Sequence, residues 1–372
     1  MNKRLKVLFT TNIPVPYRID FFNELGKLVD LTVVFERSSA KTRDSQWLNS
    51  KFVNFKGLFL KGISIGDDLA ICPGIINVVR KGKFDRIIVG IYYSFTGILL
   101  TQYLRMMHIP FIMTGDGGQI QHKSKLKFWI KRYLNSGAYK YLTTSDVSKK
   151  VLMRYGIKEN IIFKYPFTSL NKEDIAEKPI PDTEKKQIRK SLGINEQYMV
   201  LAVGRLVFFK NWHDLIRISS ELGGNVGVYL VGGNPKGTPY EEFLATLPSN
   251  FHFVEFVQKE ELKQFYKAAD LFVMTSRNDV WGLVVNEAMS MGLPIITSRT
   301  TVSGSELIKE GENGYLYDCE DTEKLQKYIR NILTNSELRY SMGQNSIKKI
   351  QNYTIEKMAK EYFNGDYIRQ YP

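Results

Sequence analysis

Residues 271–287 read Leu271-Phe-Val-Met-Thr275-Ser-Arg-Asn-Asp279-Val-Trp-Gly282-Leu-Val-Val-Asn-Glu287. The apolar run from Leu271 to Thr275 predicts a buried parallel strand. Asp279 then falls in the loop at its C-terminal end and Glu287 in the second turn of the helix that follows. Open α/β sheets bind their ligands at that edge. Gly282 lets a ligand approach the backbone, and the free N–H groups from Leu283 onward add the positive end of the helix dipole, about half a unit charge. A diphosphate suits this position. Carboxylates accept hydrogen bonds from hydroxyls, so Asp279 and Glu287, with seven residues between them, point to a sugar and a ribose on either side of it.

Strand and helix alternate along the rest of the chain, which calls for doubly wound parallel sheets. Strands are expected near 5–11, 31–36, 84–90, 109–114, 139–144 and 160–164. A second series is expected near 198–204, 226–231, 251–256, 271–275 and 293–297. The chain has 372 residues, beyond the roughly 250–300 at which a single core stops growing, so two domains are expected. We place the first at 1–168, a linker at 169–195 around Pro179 and Pro181, the second at 196–352 and a final helix at 353–372. With 43% hydrophobic and 13% aromatic residues the chain reads as globular.

Several ordered motifs in the second half resemble the large retaining glycosyltransferase family 4 with the GT-B fold. Asp279-Val-Trp-Gly-Leu-Val-Val-Asn-Glu287-Ala-Met-Ser-Met-Gly-Leu-Pro294 looks like its acid-x7-acid motif. Leu201-Ala-Val-Gly-Arg-Leu-Val-Phe-Phe-Lys-Asn211 resembles the strand and loop that bring an Arg and a Lys to the donor diphosphate, here Arg205 and Lys210 after Gly204. Val231-Gly-Gly-Asn-Pro235, with Gly232, resembles the next glycine turn. Ala269-Asp270-Leu-Phe-Val, Gly304-Ser-Glu306-Leu-Ile and Gly314 resemble further landmarks. The resemblance implies two Rossmann-like parallel-sheet domains facing across a cleft, with the C-terminal helix crossing back to the first.

It also implies roles. The first acid, Asp279, reaches donor-sugar hydroxyls, and Glu287 holds the ribose. The family normally has Glu at the first place; Asp279 is one methylene shorter, so its sugar contact is re-aimed or lost. Arg205, Lys210 and the helix start at Gly282 and Leu283, beside Trp281, stabilise the charge growing on the leaving nucleotide. Glu255 and Phe256 meet the nucleobase, mainly through backbone groups. UDP is the expected donor nucleotide, as the commonest among such enzymes, and GDP fits the same cleft. No Asp-x-Asp occurs, and His108, His122, His213 and His252 form no evident ligand cluster, so transfer without metal or cofactor is expected.

Acceptor chemistry then falls to the first domain. Thr10-Thr-Asn-Ile-Pro-Val-Pro-Tyr-Arg-Ile-Asp-Phe-Phe22 puts Pro16, Tyr17 and Arg18 at the ligand edge, where Arg18 either meets phosphate or sugar oxygens or faces solvent. Many relatives have a glycine pair in that loop; this chain does not. Ile109-Pro-Phe-Ile-Met-Thr-Gly-Asp-Gly-Gly118 presents Asp116 where relatives often carry His. Asp116 either orients an acceptor hydroxyl and stabilises positive charge at the anomeric carbon, or serves only the turn.

Charge is uneven. Residues 1–168 hold 27 Lys and Arg against 11 Asp and Glu, and the remainder 25 against 27. The densest stretch, Lys123-Ser-Lys-Leu-Lys-Phe-Trp-Ile-Lys-Arg-Tyr133, interleaves basic, aromatic and aliphatic residues. It reads as an anchor on an anionic membrane surface, to which each basic residue contributes about 1 kcal/mol, or as an ordinary solvated helix face. A nucleic-acid surface is the weaker reading, and no nucleic-acid partner is expected. The eighteen uncharged residues between Arg86 and Arg105 read as strand, loop and helix rather than a membrane span. Cys72 and Cys319 lie far apart in sequence, which favours a reducing compartment, and the first apolar run is too short for a signal peptide.

The leading expectation is a retaining glycosyltransferase, moving a hexosyl or N-acetylhexosaminyl group to a lipid-linked or envelope glycan at the inner face of the cytoplasmic membrane. A sugar-nucleotide epimerase on the same architecture would need acid and base groups on both faces of the sugar. A non-catalytic glycan or nucleic-acid binder is the third class.

Overall fold

The computed structural model describes residues 4–38, 51–65, 69–115 and 124–364. The chain divides into two compact units, one running to Ser169 and resuming at Thr354, the other spanning Leu170–Tyr353.

In the first unit the order is β1 (Lys6–Thr11), α1 (Pro16–Gly26), β2 (Asp30–Phe35), β3 (Lys56–Phe59), a hairpin of β4 (Ile63–Ile65) and β5 (Leu69–Ile71), α2 (Ile75–Gly82), β6 (Arg86–Val89), α3 (Phe95–Met106), β7 (Ile112–Thr114), α4 (Lys125–Leu134), β8 (Lys140–Thr143), α5 (Asp146–Arg154) and β9 (Ile162–Lys164). Among the described residues the main sheet is β3-β2-β1-β6-β7-β8-β9, all parallel. β1 and β2 are buried along almost their whole length, as strands covered on both faces must be. β3, which the sequence reading passed over, is a short, partly exposed edge strand around Gly57. It lacks the continuous apolar run that marks a buried strand.

The second unit runs α6 (Asp182–Ser191), β10 (Tyr198–Val203), α7 (Trp212–Ser219), β11 (Val226–Val231), β12 (Phe251–Val254), α8 (Lys259–Ala268), β13 (Leu271–Met274), α9 (Leu283–Ser290), β14 (Ile295–Ser298), α10 (Val302–Leu307), β15 (Gly314–Tyr317), α11 (Thr322–Thr334) and α12 (Ser336–Ile350). Its sheet, β12-β11-β10-β13-β14-β15, has the strand order of a dinucleotide-binding fold. The core joins Val200, Ala202, Leu230, Val273 and Ile296 to Trp212, Leu325 and Ile329 from the covering helices. The last helix, α13 (Ile355–Asn364), belongs to the first unit, where Tyr362 stacks edge-on with Phe21 and Tyr165 and its hydroxyl lies 2.7 Å from Thr114 Oγ1.

The stretch 169–195 is not a linker. From Leu170 onward it belongs to the second unit, and it contains α6, which packs on α8. The polar composition that suggests a linker has another cause: Lys185 and Arg189 turn inward onto the buried carboxylate of Asp270. Arg189 Nη2 lies 2.5 Å from Asp270 Oδ2, Lys185 Nζ 3.4 Å from Oδ1, and Arg339 Nε of α12 3.9 Å from Oδ1. Asp270 Oδ2 also accepts the Met199 N–H at 2.9 Å, so one carboxylate ties α6 and α12 to the start of β10. Burial pushes the Lys185 ammonium's pKa down, against the pull of Asp270.

The C-terminal ends of β10 and β11 approach so closely that a Cβ on Gly232 would sit 1.9 Å from Gly204 O. That contact is what the glycine turn at Gly232 permits.

Asp270→Ala strands three cations around an empty place, and we expect it to destabilise the chain by about 3–5 kcal/mol, read from the urea midpoint. Gly232→Ala forces the two strand ends apart at a cost of about 1–3 kcal/mol in the same titration; an unchanged midpoint would contradict the close approach.

Candidate functional site

In the second unit, Gly204 follows β10 and Arg277 to Gly282 follow β13. These are the strands on either side of the point where the strand order reverses. Both chains therefore leave the sheet at its C-terminal edge, side by side, at the position where such sheets hold ligands. They are stitched together there: the Arg277 N–H donates to Phe209 O at 2.8 Å and Thr275 Oγ1 to Lys210 O at 2.9 Å.

The loop after β10 is shaped by Trp212, which is buried. Its indole N–H donates to Arg205 O at 3.1 Å, and its backbone N–H to the Tyr240 hydroxyl at 3.1 Å. Asn211 takes a left-handed φ of 52°, which Asn tolerates, and its side-chain amide donates to Asp214 at 2.7 Å. The loop thereby carries Lys210 back over Gly204 and leaves Arg205 exposed.

Lys210 and Asp279 meet as an ion pair, Nζ to Oδ2 at 2.5 Å. The other oxygen, Oδ1, accepts the Trp281 N–H at 3.2 Å and shapes the turn into α9. Gly282, at φ 92°, is the residue before the helix; no side chain caps it, so the first N–H groups of α9 are not met by one. One turn on, Glu287 Oε2 accepts the Tyr266 hydroxyl at 3.0 Å. Tyr266 is wholly buried, and burial and the neighbouring Glu287 push its pKa well up, so it stays a neutral hydrogen-bond donor.

The cation, the two carboxylates, the glycine and the helix start thus gather at one sheet edge. Two expectations need correction. The Trp281 side chain does not face a ligand: it is 3% exposed, its indole N–H donates to Asn286 at 2.9 Å, and only its backbone takes part in the turn. Arg18 does not face solvent: it is buried in the first unit, its guanidinium over the rings of Tyr17 and Phe167 at 5.8 and 5.4 Å. Glu255 and Phe256 lie just beyond β12, which ends at Val254, and both are exposed. Pro16 opens α1 and Tyr17 stands in its first turn against Phe167. Asp116 lies outside the described residues. The sequence reading missed Tyr266 and Asn286, which act only through tertiary contacts with Glu287 and Trp281. His213 is packed among Phe208, Tyr240 and Phe243, and burial, with Arg277 and Arg217 nearby, pushes its pKa down.

In the first unit α4 contradicts the usual rule that a helix buries its apolar stripe. Leu126, Trp129, Ile130 and Tyr133, at helical spacing, are between 49% and 71% exposed. Met106 and Met107 at the end of α3 are exposed as well. Arg105 stacks on Tyr133 at 4.4 Å and Arg132 on Trp129 at 5.0 Å, while the Tyr133 hydroxyl donates to Gln102 at 2.8 Å. Among the described residues no helix is long and apolar enough to cross a membrane.

Comparison with known proteins follows this division. The family model for Glycosyl transferases group 1 matches residues 184–349. The sulfoquinovosyl transferase of Arabidopsis thaliana is 26% identical over 313 residues, 80% of this chain and 59% of that protein. The D-inositol 3-phosphate glycosyltransferase of Corynebacterium efficiens is 32% identical over 196 residues, 49% of this chain and 46% of that protein. The chain spans about half the length of the curated relatives it matches. Among solved structures, Anabaena HepE in complex with UDP superposes with a TM-score of 0.77 at 18% identity, covering 97% of this chain and 99% of that one. WaaG, a glycosyltransferase involved in lipopolysaccharide biosynthesis, gives 0.70 at 16% identity, covering 98% and 100%. Such low identity speaks for the fold, which is of the GT-B type, and the family match lies within the second unit, whose residues 184–349 are similar to the group 1 glycosyl transferases.

Proposed function

We propose that the chain moves a sugar from a UDP-linked donor, with retention of anomeric configuration and without a metal ion, to a lipid-linked or envelope glycan acceptor. The carrying observation is the convergence of Lys210, Asp279, the start of α9 and Glu287 at one edge of the second sheet. Lys210 and the exposed Arg205 balance the charge that grows on the departing diphosphate. The first turn of α9 adds N–H groups and the positive end of its dipole. Glu287, held by the Tyr266 hydroxyl, accepts hydrogen bonds from ribose hydroxyls. The choice of UDP draws support from Anabaena HepE, which was crystallised with UDP and with UDP and glucose. Backbone groups at Glu255 and Phe256 are assigned to the base. Hexosyl or N-acetylhexosaminyl transfer fits this arrangement equally.

The acceptor is assigned to the first unit, near Pro16, Tyr17 and Asp116. That unit docks on an anionic membrane, at the inner face of the cytoplasmic membrane, through α4. The exposed stripe of Leu126, Trp129, Ile130 and Tyr133 enters the interface, and Lys125, Lys127, Lys131 and Arg132 meet lipid headgroups. A patch of this kind on a soluble surface calls for a partner.

Thermal unfolding in the presence of UDP, GDP, ADP or CMP, without added metal, tests the donor site. UDP at a hundred times its dissociation constant is expected to add about 2.7 kcal/mol, and the gain should vanish in Glu287→Ala. Stabilisation by none of the four rejects the reading. For the membrane, sedimentation with phosphatidylglycerol–phosphatidylcholine vesicles should show strong binding. Reversing Lys125, Lys127, Lys131 and Arg132 to Glu together should weaken it at least about a hundredfold, at about 1 kcal/mol per cation, and Trp129→Ser should weaken it further at high salt. Equal sedimentation of all variants sinks the membrane proposal.

A further inference from the structure

Every oxygen of the Asp279 carboxylate is already engaged. Oδ2 holds Lys210 Nζ at 2.5 Å and Oδ1 accepts the Trp281 N–H at 3.2 Å, with the Lys210 and Asp279 side chains 11% and 15% exposed. The backbone on both sides is pinned as well. Asp279 O accepts the Val302 N–H at 3.2 Å and Asp279 bridges to Thr301, while Lys210 O accepts Thr275 Oγ1 at 2.9 Å. The pair can part only by rotation of its side chains, with the loops left in place.

Resting on the donor-site reading above, a diphosphate that reaches Lys210 competes with a carboxylate that already occupies it. Two anions on one largely buried cation repel each other, and a carboxylate displaced from that cation loses its partner where little water replaces it. A bare nucleoside diphosphate brings nothing to repair that loss. An intact nucleotide-sugar brings sugar hydroxyls, which donate hydrogen bonds to a freed carboxylate.

We propose that Asp279 is a specificity-determining residue that occupies Lys210 as an internal anion, so that the site disfavours the sugar-free nucleoside diphosphate and favours the intact donor. Product leaves readily because Asp279 returns to Lys210 as the diphosphate departs. The short side chain is part of the device: tied at both oxygens, it answers to Lys210 first and to the sugar only after Lys210 is taken.

Calorimetric titration of UDP and of UDP-glucose, without metal, into the wild-type chain, Asp279→Asn and Lys210→Gln tests this. Asn keeps an Oδ1 acceptor for the Trp281 N–H and removes the charge together with the Oδ2 acceptor of Lys210. Asp279→Asn is expected to bind UDP about tenfold more tightly than wild type, about 1.4 kcal/mol, and to gain less for UDP-glucose, so that the preference for the sugar-bearing ligand narrows. UDP binding that is unchanged or weaker in Asp279→Asn, while Lys210→Gln weakens it, overturns the proposal and leaves the donor site standing. UDP binding untouched by Lys210→Gln overturns the donor-site reading and the proposal together. Should Asp279→Asn fail to fold, Asp279→Ser, whose hydroxyl is uncharged, carries the same comparison with the same expected and overturning results.

Discussion

The parallel pairing of β10 with β13, Val200 opposite Leu271 and Leu201 opposite Phe272, is the constraint on which the site depends. Parallel neighbours leave a sheet at the same edge, and here the strand order reverses between them. The loop that carries Lys210 and the loop that carries Asp279 therefore emerge together although 69 residues separate the two side chains. Any antiparallel arrangement would send them to opposite edges.

That pairing is held from below by Asp270. Its carboxylate sits at the start of β13, accepts a backbone N–H from the start of β10, and gathers cations from α6 and α12. A carboxylate in that place is costly to bury alone, and the surrounding cations offset the cost. The site at one end of the strands and the charge cluster at the other thus share the same two strands. Gly204 and Gly232 complete the arrangement by letting β10 and β11 end in contact.

In the first unit the unusual feature is a surface. A helix with apolar residues at positions 126, 129, 130 and 133 would ordinarily be read as packing that stripe inward. Here Phe128 packs against Tyr155, and the stripe stays outside among cations. Arg105 of α3 and Arg132 lie over its aromatic rings.

Much of this was legible in the residues alone. Continuous apolar runs such as Leu271–Met274 name buried parallel strands, and a glycine between two spaced carboxylates names a helix start at a ligand edge, because both signals are local and follow from period and backbone freedom. The motifs around Arg205, Lys210, Asp279 and Glu287 pointed to the family by resemblance. Tertiary structure alone decided what each polar side chain faces. It turned Arg18 and Trp281 inward, drew Lys185 and Arg189 from an apparent linker onto Asp270, gave Glu287 its Tyr266 and set Lys210 on Asp279. A charged side chain written on one line of sequence carries no sign of the partner it will meet, since that partner comes from an element tens of residues away and only the packed sheet brings the two within hydrogen-bond reach.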